Sequence, residues 1–251
     1  MQRMNTKNRL FPFIPILFTL FSVSAIAGES DSYGRLLTKV AVQDGVYWDR
    51  FGAEEKKLLK ETMDGLTKAT PNTLATSNDQ LAFWINAHNA CVFHLISSRL
   101  PLSDVMKVEG FRDQLRCNIA GEERSLIDIE SRVIRPLFNE PRVHFALWWG
   151  VLGSPRLAPT PYTGKNLDQQ LDKQTKAFIT WDEAVGINKE GSSISLSPLF
   201  DWYKYDFGQK ESAVLAFVRK RVNQEDAKWI PKDFSTVTFT AFDWTLDQAK
   251  K

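Results

Sequence analysis

The spacing of apolar residues in the first hundred positions predicts three helices. Over 32–42 and 53–67, apolar residues recur every three or four positions, with charged residues on the opposite side. The stretch 80–98, QLAFWINAHNACVFHLISS, is apolar on nearly every side, which predicts a buried helix with Asp79 as its N-cap. Asn86 and Asn89 form a narrow polar stripe on this helix.

The later part of the chain mixes strand and helix patterns. The predicted strands are 115–119 with a short return strand, 184–188, 193–197 and 236–242, and the predicted helices are 125–135, 166–179 and 210–222. Ser125 and Asp128 have the spacing of a capping box. Because helices dominate early and strands later, we expect a single α+β domain with a mostly helical N-terminal half packed on an antiparallel sheet.

The first 27 residues have the pattern of an export signal. Three basic residues precede an apolar run over 10–24, which leads into a small-x-small cleavage site at 25–27. A membrane-spanning helix would need ~20 predominantly apolar residues, and two prolines interrupt this shorter run. We expect cleavage after Ala27, a periplasmic or secreted protein, and no stable membrane anchor after cleavage. Residues 28–74 then form an N-terminal helical extension, and residues 75–251 form the main domain.

Charge and composition narrow the classes of partner. The chain has 32 basic and 30 acidic residues, and removal of the signal leaves 29 against 30. A nucleic-acid-binding protein usually has a basic stripe, and this chain has none. We therefore expect that it does not bind nucleic acid. Three histidines and two cysteines show no paired ligand spacing, so we predict no metal and no cofactor. Cys91 and Cys117 could form a disulfide in an oxidising compartment or remain two buried thiols.

The segment 141–163 carries the candidate chemistry. An apolar run with His144, predicted as a strand, leads into a bend rich in Gly and Pro that holds Ser154. A serine nucleophile needs a general base and a group that orients the base. His144 is the candidate base, Ser154 the candidate nucleophile, and Asn86, Asn89 or Glu130 the candidate orienting residue.

Each orienting candidate also has a structural interpretation. Asn86 and Asn89 could bind neighbouring backbone and fix loops over the core, because most buried polar side chains are satisfied in this way. Glu130 could belong to exposed ion pairs with Arg132 and Arg135. His88, with apolar neighbours on every side, is expected to be a core residue.

Several blocks together resemble the domain of unknown function 547 family, from about residue 75 to the C-terminus. The blocks are FWINAHNA at 83–90, SLIDIESRVIR at 125–135, PRVHFAL at 141–147, the Ser-Pro bend at 154–155, YTGKNLDQQLDKQTKAFI at 162–179, LSPLFDWYKYDF at 196–207 and FDWTLDQ at 242–248. The resemblance implies a fold similar to that of papain-like cysteine peptidases. It also implies two cysteines at positions where this chain has Trp149 and Ser154, and a tyrosine where it has His88.

The replacement of both expected cysteines, by Trp149 and Ser154, leaves two functional hypotheses. Cysteine is intrinsically a strong nucleophile, whereas serine needs far more activation, so a thiol-dependent site would lose activity on this change. The favoured hypothesis is a peptidase-like scaffold that binds a peptide, glycan or protein without cleaving it, with aromatic residues such as Tyr162 or Trp202 contacting the ligand. The alternative is an active hydrolase or acyltransferase that uses Ser154 and His144.

Overall fold

Three long helices at the start of the described chain bury their apolar sides against one another. This computed structural model describes residues 23–42, 45–191, 193–208 and 210–249, with side chains from residue 32 onward. The helices are α1 (Val23–Val40), α2 (Ala53–Lys68) and α3 (Ser77–Ser97). Most of the predicted export signal, residues 1–22, lies outside the described residues.

Helix α3 is buried on nearly every side, as its sequence predicted. Its N-cap is Thr76, so the prediction of Asp79 was wrong. The Thr76 hydroxyl accepts a hydrogen bond from the backbone N–H of Asp79 at 3.0 Å and donates one to the Asp79 carboxylate at 2.7 Å. Asp79 therefore occupies the third helical position, where a carboxylate completes the cap instead of starting it.

The strands form three small sheets. Strand β1 (Ala41–Val42) pairs with β2 (Gly45–Val46), and β3 (Cys117–Ile119) pairs with β4 (Glu122–Arg124), both antiparallel. The third sheet has the order β5 (Val185–Asn188), β6 (Ser193–Leu196) and β7 (Val237–Phe239). The mixture of helix and sheet agrees with the α+β class. The prediction of a single antiparallel sheet was wrong. Strand β7 pairs with β6 in the parallel direction, and the β3–β4 hairpin is separate and lies against α2.

The capping box at Ser125 is confirmed, but the helix that follows is wider than an α-helix. The Ser125 hydroxyl accepts from the Asp128 N–H, and the Asp128 carboxylate accepts from the Ser125 N–H, both at 3.1 Å. A π-helix covers Asp128–Ile134 and continues as α4 (Arg135–Phe138). Single π-helical turns are rare and often occur at functional sites.

His144 lies on a 3₁₀-helix, Pro141–Phe145, and the predicted strand was wrong. Pro141 has a backbone torsion that suits the first position of a helix. The Glu140 carboxylate accepts a hydrogen bond from the Arg142 N–H at 3.0 Å, which caps the turn. A proline and a cap at its start therefore outweigh the apolar run, which by itself does not distinguish a strand from a short helix.

The 3₁₀-helix lies between two apolar clusters. Val143 and Ala146 pack in the first, with the inward side chains of α1, α2 and α3, and Phe145 packs in the second. The second cluster also contains side chains of β5, β6 and three helices, α5 (Leu167–Ile179), α6 (Leu199–Trp202) and α7 (Glu211–Arg219). Helix α8 (Gln224–Ala227) follows α7 in the chain. His144 is held in place from both sides.

Cys91 and Cys117 form a disulfide. The sequence left this pairing open, and the two residues are 26 positions apart in the chain. The bond joins the buried face of α3 to the first strand of the β3–β4 hairpin. It therefore fixes the hairpin on the helix that carries Asn86 and Asn89.

Candidate functional site

The structure brings two of the five candidate site residues together and separates the other three from them. His144 and Glu130 lie side by side in the interior, with the His144 Nδ1 3.6 Å from the Glu130 Oε1. Asn86, Asn89 and Ser154 form hydrogen bonds with backbone groups elsewhere. The candidate base and one candidate orienting residue are therefore neighbours, whereas the candidate nucleophile lies apart from both.

His144 is surrounded by two carboxylates and an aromatic ring. Its Nε2 lies 2.8 Å from the Oδ2 of Asp206, and its side chain is 1% exposed. The ring stacks on Tyr203 with 3.8 Å between the ring centres and 12° between the planes. Both ring nitrogens thus face a carboxylate.

Asp206 and Tyr203 were missed as site residues. They belong to the aromatic-rich segment 198–207. Asp206 is anchored by Arg135, whose Nε and Nη2 donate to the two carboxylate oxygens at 2.6 and 2.9 Å. A carboxylate that ends an otherwise aromatic segment was the available signal, because an acidic group beside packed rings needs a partner.

Glu130 was expected in exposed ion pairs, and this was wrong. Its residue is 1% exposed, because the π-helix turns it inward towards His144. Arg132 instead pairs with Asp128 at 3.1 Å, and Arg135 pairs with Asp206. Of the charged residues on this helix, Arg132 is therefore exposed to solvent and Glu130 is buried.

The pKa values of these groups favour the charged forms. Burial alone would raise the pKa of Glu130, but its contacts with His144 and Tyr203 outweigh burial and lower it. Burial alone would lower the pKa of His144, and its hydrogen bond to Asp206 and its contact with Glu130 raise it. Burial alone would raise the pKa of Asp206, and His144 and Arg135 lower it. These directions favour the charged form of each group, with the His144 Nε2 hydrogen-bonded to Asp206 and the Nδ1 3.6 Å from Glu130.

His88 and Trp149 lie beside this charged group. Burial lowers the pKa of His88 to about 4, so its ring is neutral, and its Nδ1 is 3.2 Å from the Oδ1 of Asn89. The indole of Trp149 meets His88 edge-on at 5.3 Å, and the Arg112 guanidinium lies over the indole at 4.4 Å. Trp149 occupies a position where the family resemblance implies a cysteine, so a bulky apolar ring stands there instead of a thiol.

Ser154 is a structural residue in the bend. It is fully buried, its hydroxyl lies 2.9 Å from the carbonyl of Val151, and the N–H of Trp149 donates to it at 3.3 Å. Among the described residues, no hydrogen bond joins Ser154 to His144. The bend therefore uses this hydroxyl to close its own backbone.

Asn86 and Asn89 fix two different loops on α3. Asn86 donates to the carbonyl of Tyr162 at 2.8 Å and accepts from its N–H at 2.9 Å. Asn89 donates to the carbonyl of Ala146 at 3.0 Å and accepts from the N–H of Trp148 at 3.0 Å. These contacts match the structural interpretation of the two amides.

A cavity of about 190 Å³ lies between α1, α2, α3 and the loop 162–164, and we call it the tyrosine cavity. Its apolar lining residues are Leu66, Leu74, Ala82 and Phe83, and its polar ones are Tyr33, Thr62, Asp79, Asn86, Tyr162 and Thr163. Tyr33 and Tyr162 are 3% and 4% exposed, their hydroxyl oxygens are buried, and Gln174 interacts with the Tyr162 hydroxyl. Burial raises the pKa of both phenols, so both stay protonated.

The loop over the tyrosine cavity presses directly on the start of α3. A Cβ added to Gly164 would lie 2.7 Å from the backbone nitrogen of Asp79, which is closer than atoms can approach. Gln170 holds the same loop through Thr163 N–H at 3.0 Å and the Pro161 carbonyl at 2.9 Å. Tyr162, named from the sequence as a ligand-contacting aromatic, is thereby fixed in the cavity wall. Trp202, the other one, is 43% exposed and packs on Phe242 instead.

The described residues contain no helix with the length and apolar character needed to cross a membrane. They also contain no group of three or more His, Cys, Asp or Glu side chains arranged to hold a metal ion.

Comparison with known proteins finds one family model that matches part of the chain. Residues 72–179 match the model of a family described as "Protein of unknown function, DUF547". No curated protein and no solved structure matches the chain. The match includes Glu130 and His144 but not Tyr203 or Asp206. It supports the family resemblance, whereas the papain-like fold stays a prediction.

Proposed function

We propose that this chain, whose residues 72–179 match the DUF547 family, is an exported binding protein with a peptidase-like scaffold that holds a ligand in the tyrosine cavity without cleaving it. The observation that carries the proposal is the cavity itself. It is preformed and largely apolar, and its lining residues include Leu66, Leu74, Ala82 and Phe83. Ligand sites are characteristically apolar cavities with a few polar groups.

The charged site favours binding over hydrolysis. A general base must offer a free lone pair to the nucleophile's proton, but both nitrogens of His144 face carboxylates. Ser154 directs its hydroxyl to the carbonyl of Val151. On this basis the cluster of Glu130, His144, Asp206 and Arg135 serves to hold the π-helix, the 3₁₀-helix and the aromatic-rich segment together.

Export is proposed from two independent features. The first 27 residues have the pattern of a secretory signal. The disulfide between Cys91 and Cys117 suits an oxidising compartment, because disulfides are rare in the reducing cytosol.

The absence of serine chemistry is tested with a fluorophosphonate probe, which phosphonylates activated serines with loss of fluoride. We expect no labelling at Ser154 in the wild-type protein, as judged by mass spectrometry of the digested chain, while a known serine hydrolase in the same tube is labelled. Labelling at Ser154 that disappears in Ser154→Ala would instead establish the alternative, a hydrolase or acyltransferase.

Binding is tested with a mixture of benzene-sized neutral fragments observed by ligand-detected NMR. Ala82→Leu fills part of the tyrosine cavity and should abolish the signal, whereas Met106→Leu, at a position that is 54% exposed and outside the cavity, should retain it. Binding that survives Ala82→Leu would place the ligand elsewhere and contradict the proposal.

A further inference from the structure

Strand β7 is an outer strand of the three-stranded sheet, and β6 covers one of its two edges. The Thr240 N–H donates to the Leu196 carbonyl of β6 at 2.9 Å, so the backbone of Thr240 faces β6. The N–H and C=O groups of successive residues in a strand point to opposite edges. The residues whose backbone groups point away from β6 are therefore Val237, Phe239 and Ala241.

This outer edge of β7 is open in the part of the chain that the structure describes. No hydrogen bond from outside the sheet reaches the backbone of the three outward residues among the described residues. The side chain of Phe239 is 39% exposed, and Ala241 is exposed as well. Unpaired N–H and C=O groups in a row form a template for another strand.

The sequence around β7 lacks the features that usually protect an outer strand. Natural proteins place charged residues, prolines or bulges on such edges. The segment 235–242, STVTFTAF, contains no charge, proline or glycine, and the nearest charged residues along the chain are Asp233 and Asp243. Strand β5, at the other edge of the sheet, is followed directly by Lys189 and Glu190. The edge of β7 is therefore suited to pairing.

We propose that β7 pairs in the antiparallel direction with β7 of a second copy of this chain, about a two-fold axis at Phe239. In this register Phe239 lies opposite Phe239 of the second copy, and Val237 lies opposite Ala241 of the second copy. Each pair of outward residues exchanges two backbone hydrogen bonds, which gives about six in total. The proposal concerns a different surface from the tyrosine cavity and does not depend on the proposed ligand binding.

The chemistry of the edge favours a second copy over a charged partner strand. Asp243 lies opposite Ser235 of the second copy in this register, so no charged residue within 235–243 faces a like charge. A charged strand would find no opposite charge on β7 itself. The ring centres of Phe234 and Phe239 are 5.9 Å apart, and the two-fold axis brings two such pairs together. Directly opposed aromatic residues stabilise paired strands, and isologous pairing of this kind is the commonest arrangement in homodimers.

Sedimentation velocity of the purified protein tests the proposal. A single strand pair is a small interface, which is typical of weak association. We therefore expect a reversible shift from monomer to dimer between about 1 μM and about 500 μM. A wild type that stays monomeric throughout this range would overturn the proposal. Open-ended assembly beyond the dimer would also overturn it, because a two-fold strand pair is closed.

A charge swap at Phe239 tests the register. Phe239→Lys and Phe239→Glu each place like charges directly opposite one another, so we expect each variant alone to dimerise at least about tenfold more weakly than the wild type. An equimolar mixture should form a one-to-one dimer, because Lys then faces Glu. The side chain of Phe239 is partly exposed, so both variants should fold, and their circular dichroism spectra should match that of the wild type.

Met106→Lys is the matched control, because Met106 is 54% exposed and lies outside the sheet. This variant should dimerise as the wild type does. Dimerisation that is unchanged in Phe239→Lys would place the interface elsewhere and contradict the proposal. A mixture of the two folded Phe239 variants that stays monomeric would contradict the two-fold register at Phe239. None of these changes alters the tyrosine cavity, so each outcome is independent of the proposed function.

Discussion

At the scale of single residues, His144 illustrates how a buried charge is retained. An unpaired ion in the interior would lose its charge, because desolvation favours the neutral form. Here two carboxylates face the two ring nitrogens, and Arg135 balances the second carboxylate from the solvent side. A histidine in such a position contributes to stability through its charge.

The pH dependence of stability follows from the directions of these pKa shifts. The pKa of His144 is raised above its ordinary 6.5, so its contribution is complete below about pH 6.5 and is lost as the pH rises through the raised value. The pKa of Glu130 is lowered from 4.5 and that of Asp206 from 3.8. Their contributions are present above those values and are lost as the pH falls further.

We therefore predict that His144→Gln destabilises the protein most at about pH 5.5 to 6, by roughly 3–5 kcal/mol, because it leaves Glu130 buried without its partner. The difference from wild type should shrink at pH 9. Urea unfolding at several pH values measures it. His94→Gln serves as the control. Burial lowers the pKa of His94, so this variant should not lose stability relative to wild type as the pH falls. A difference that grows with pH would contradict the assigned imidazolium.

At the scale of elements, α3 organises both sites through one polar stripe. Asn86 faces the loop that closes the tyrosine cavity, and Asn89, three positions later, faces the chain that follows His144. Residues three apart lie on neighbouring positions of one helix face. The helix therefore places two loops that are separated in sequence along a single side.

Each asparagine provides the matched control for the other. We predict that Asn86→Ala and Asn89→Ala each destabilise the protein by about 1–3 kcal/mol, because each leaves backbone groups unpaired. Native-state hydrogen exchange should distinguish them. Asn86→Ala should speed exchange at the Tyr162 amide, and Asn89→Ala should do so at the Trp148 amide. If both variants speed exchange at both amides equally, the two loops are coupled and the assignment of one loop to each residue is wrong.

At the scale of the whole molecule, long-range links connect the ends of the chain to its middle. Trp48 donates from its indole to the Asp247 carbonyl at 3.1 Å, and Trp148 donates from its indole to the Asp247 carboxylate at 3.1 Å. Short β-bridges join Leu246 to Val151 and Thr245 to Asp104. The disulfide adds a covalent link between α3 and the β3–β4 hairpin.

The disulfide should contribute measurably to stability. For a closed loop set by its 26-residue separation, chain-entropy arguments predict about 3–4 kcal/mol. We expect the Cys91→Ala, Cys117→Ala double variant to unfold at correspondingly lower urea concentration. Because both cysteines are buried in the folded protein, a mild thiol reductant should leave the wild type unchanged until it is unfolded. Equal unfolding midpoints for the variant and the oxidised wild type would contradict this prediction.

The amino-acid sequence by itself determined the long helices, the capping box at Ser125, the buried character of α3 and the α+β class. These features depend on residue periodicity and on groups a few positions apart, which local physical chemistry specifies. Only the tertiary structure decided that Asp206, 62 positions after His144, completes its charge balance. Only the tertiary structure showed that Tyr33 and Tyr162 line one cavity. It also showed that the Ser154 hydroxyl hydrogen-bonds to the Val151 carbonyl within its own bend. Such contacts depend on how loops cross the core, and no local pattern encodes which distant group a buried polar side chain will meet.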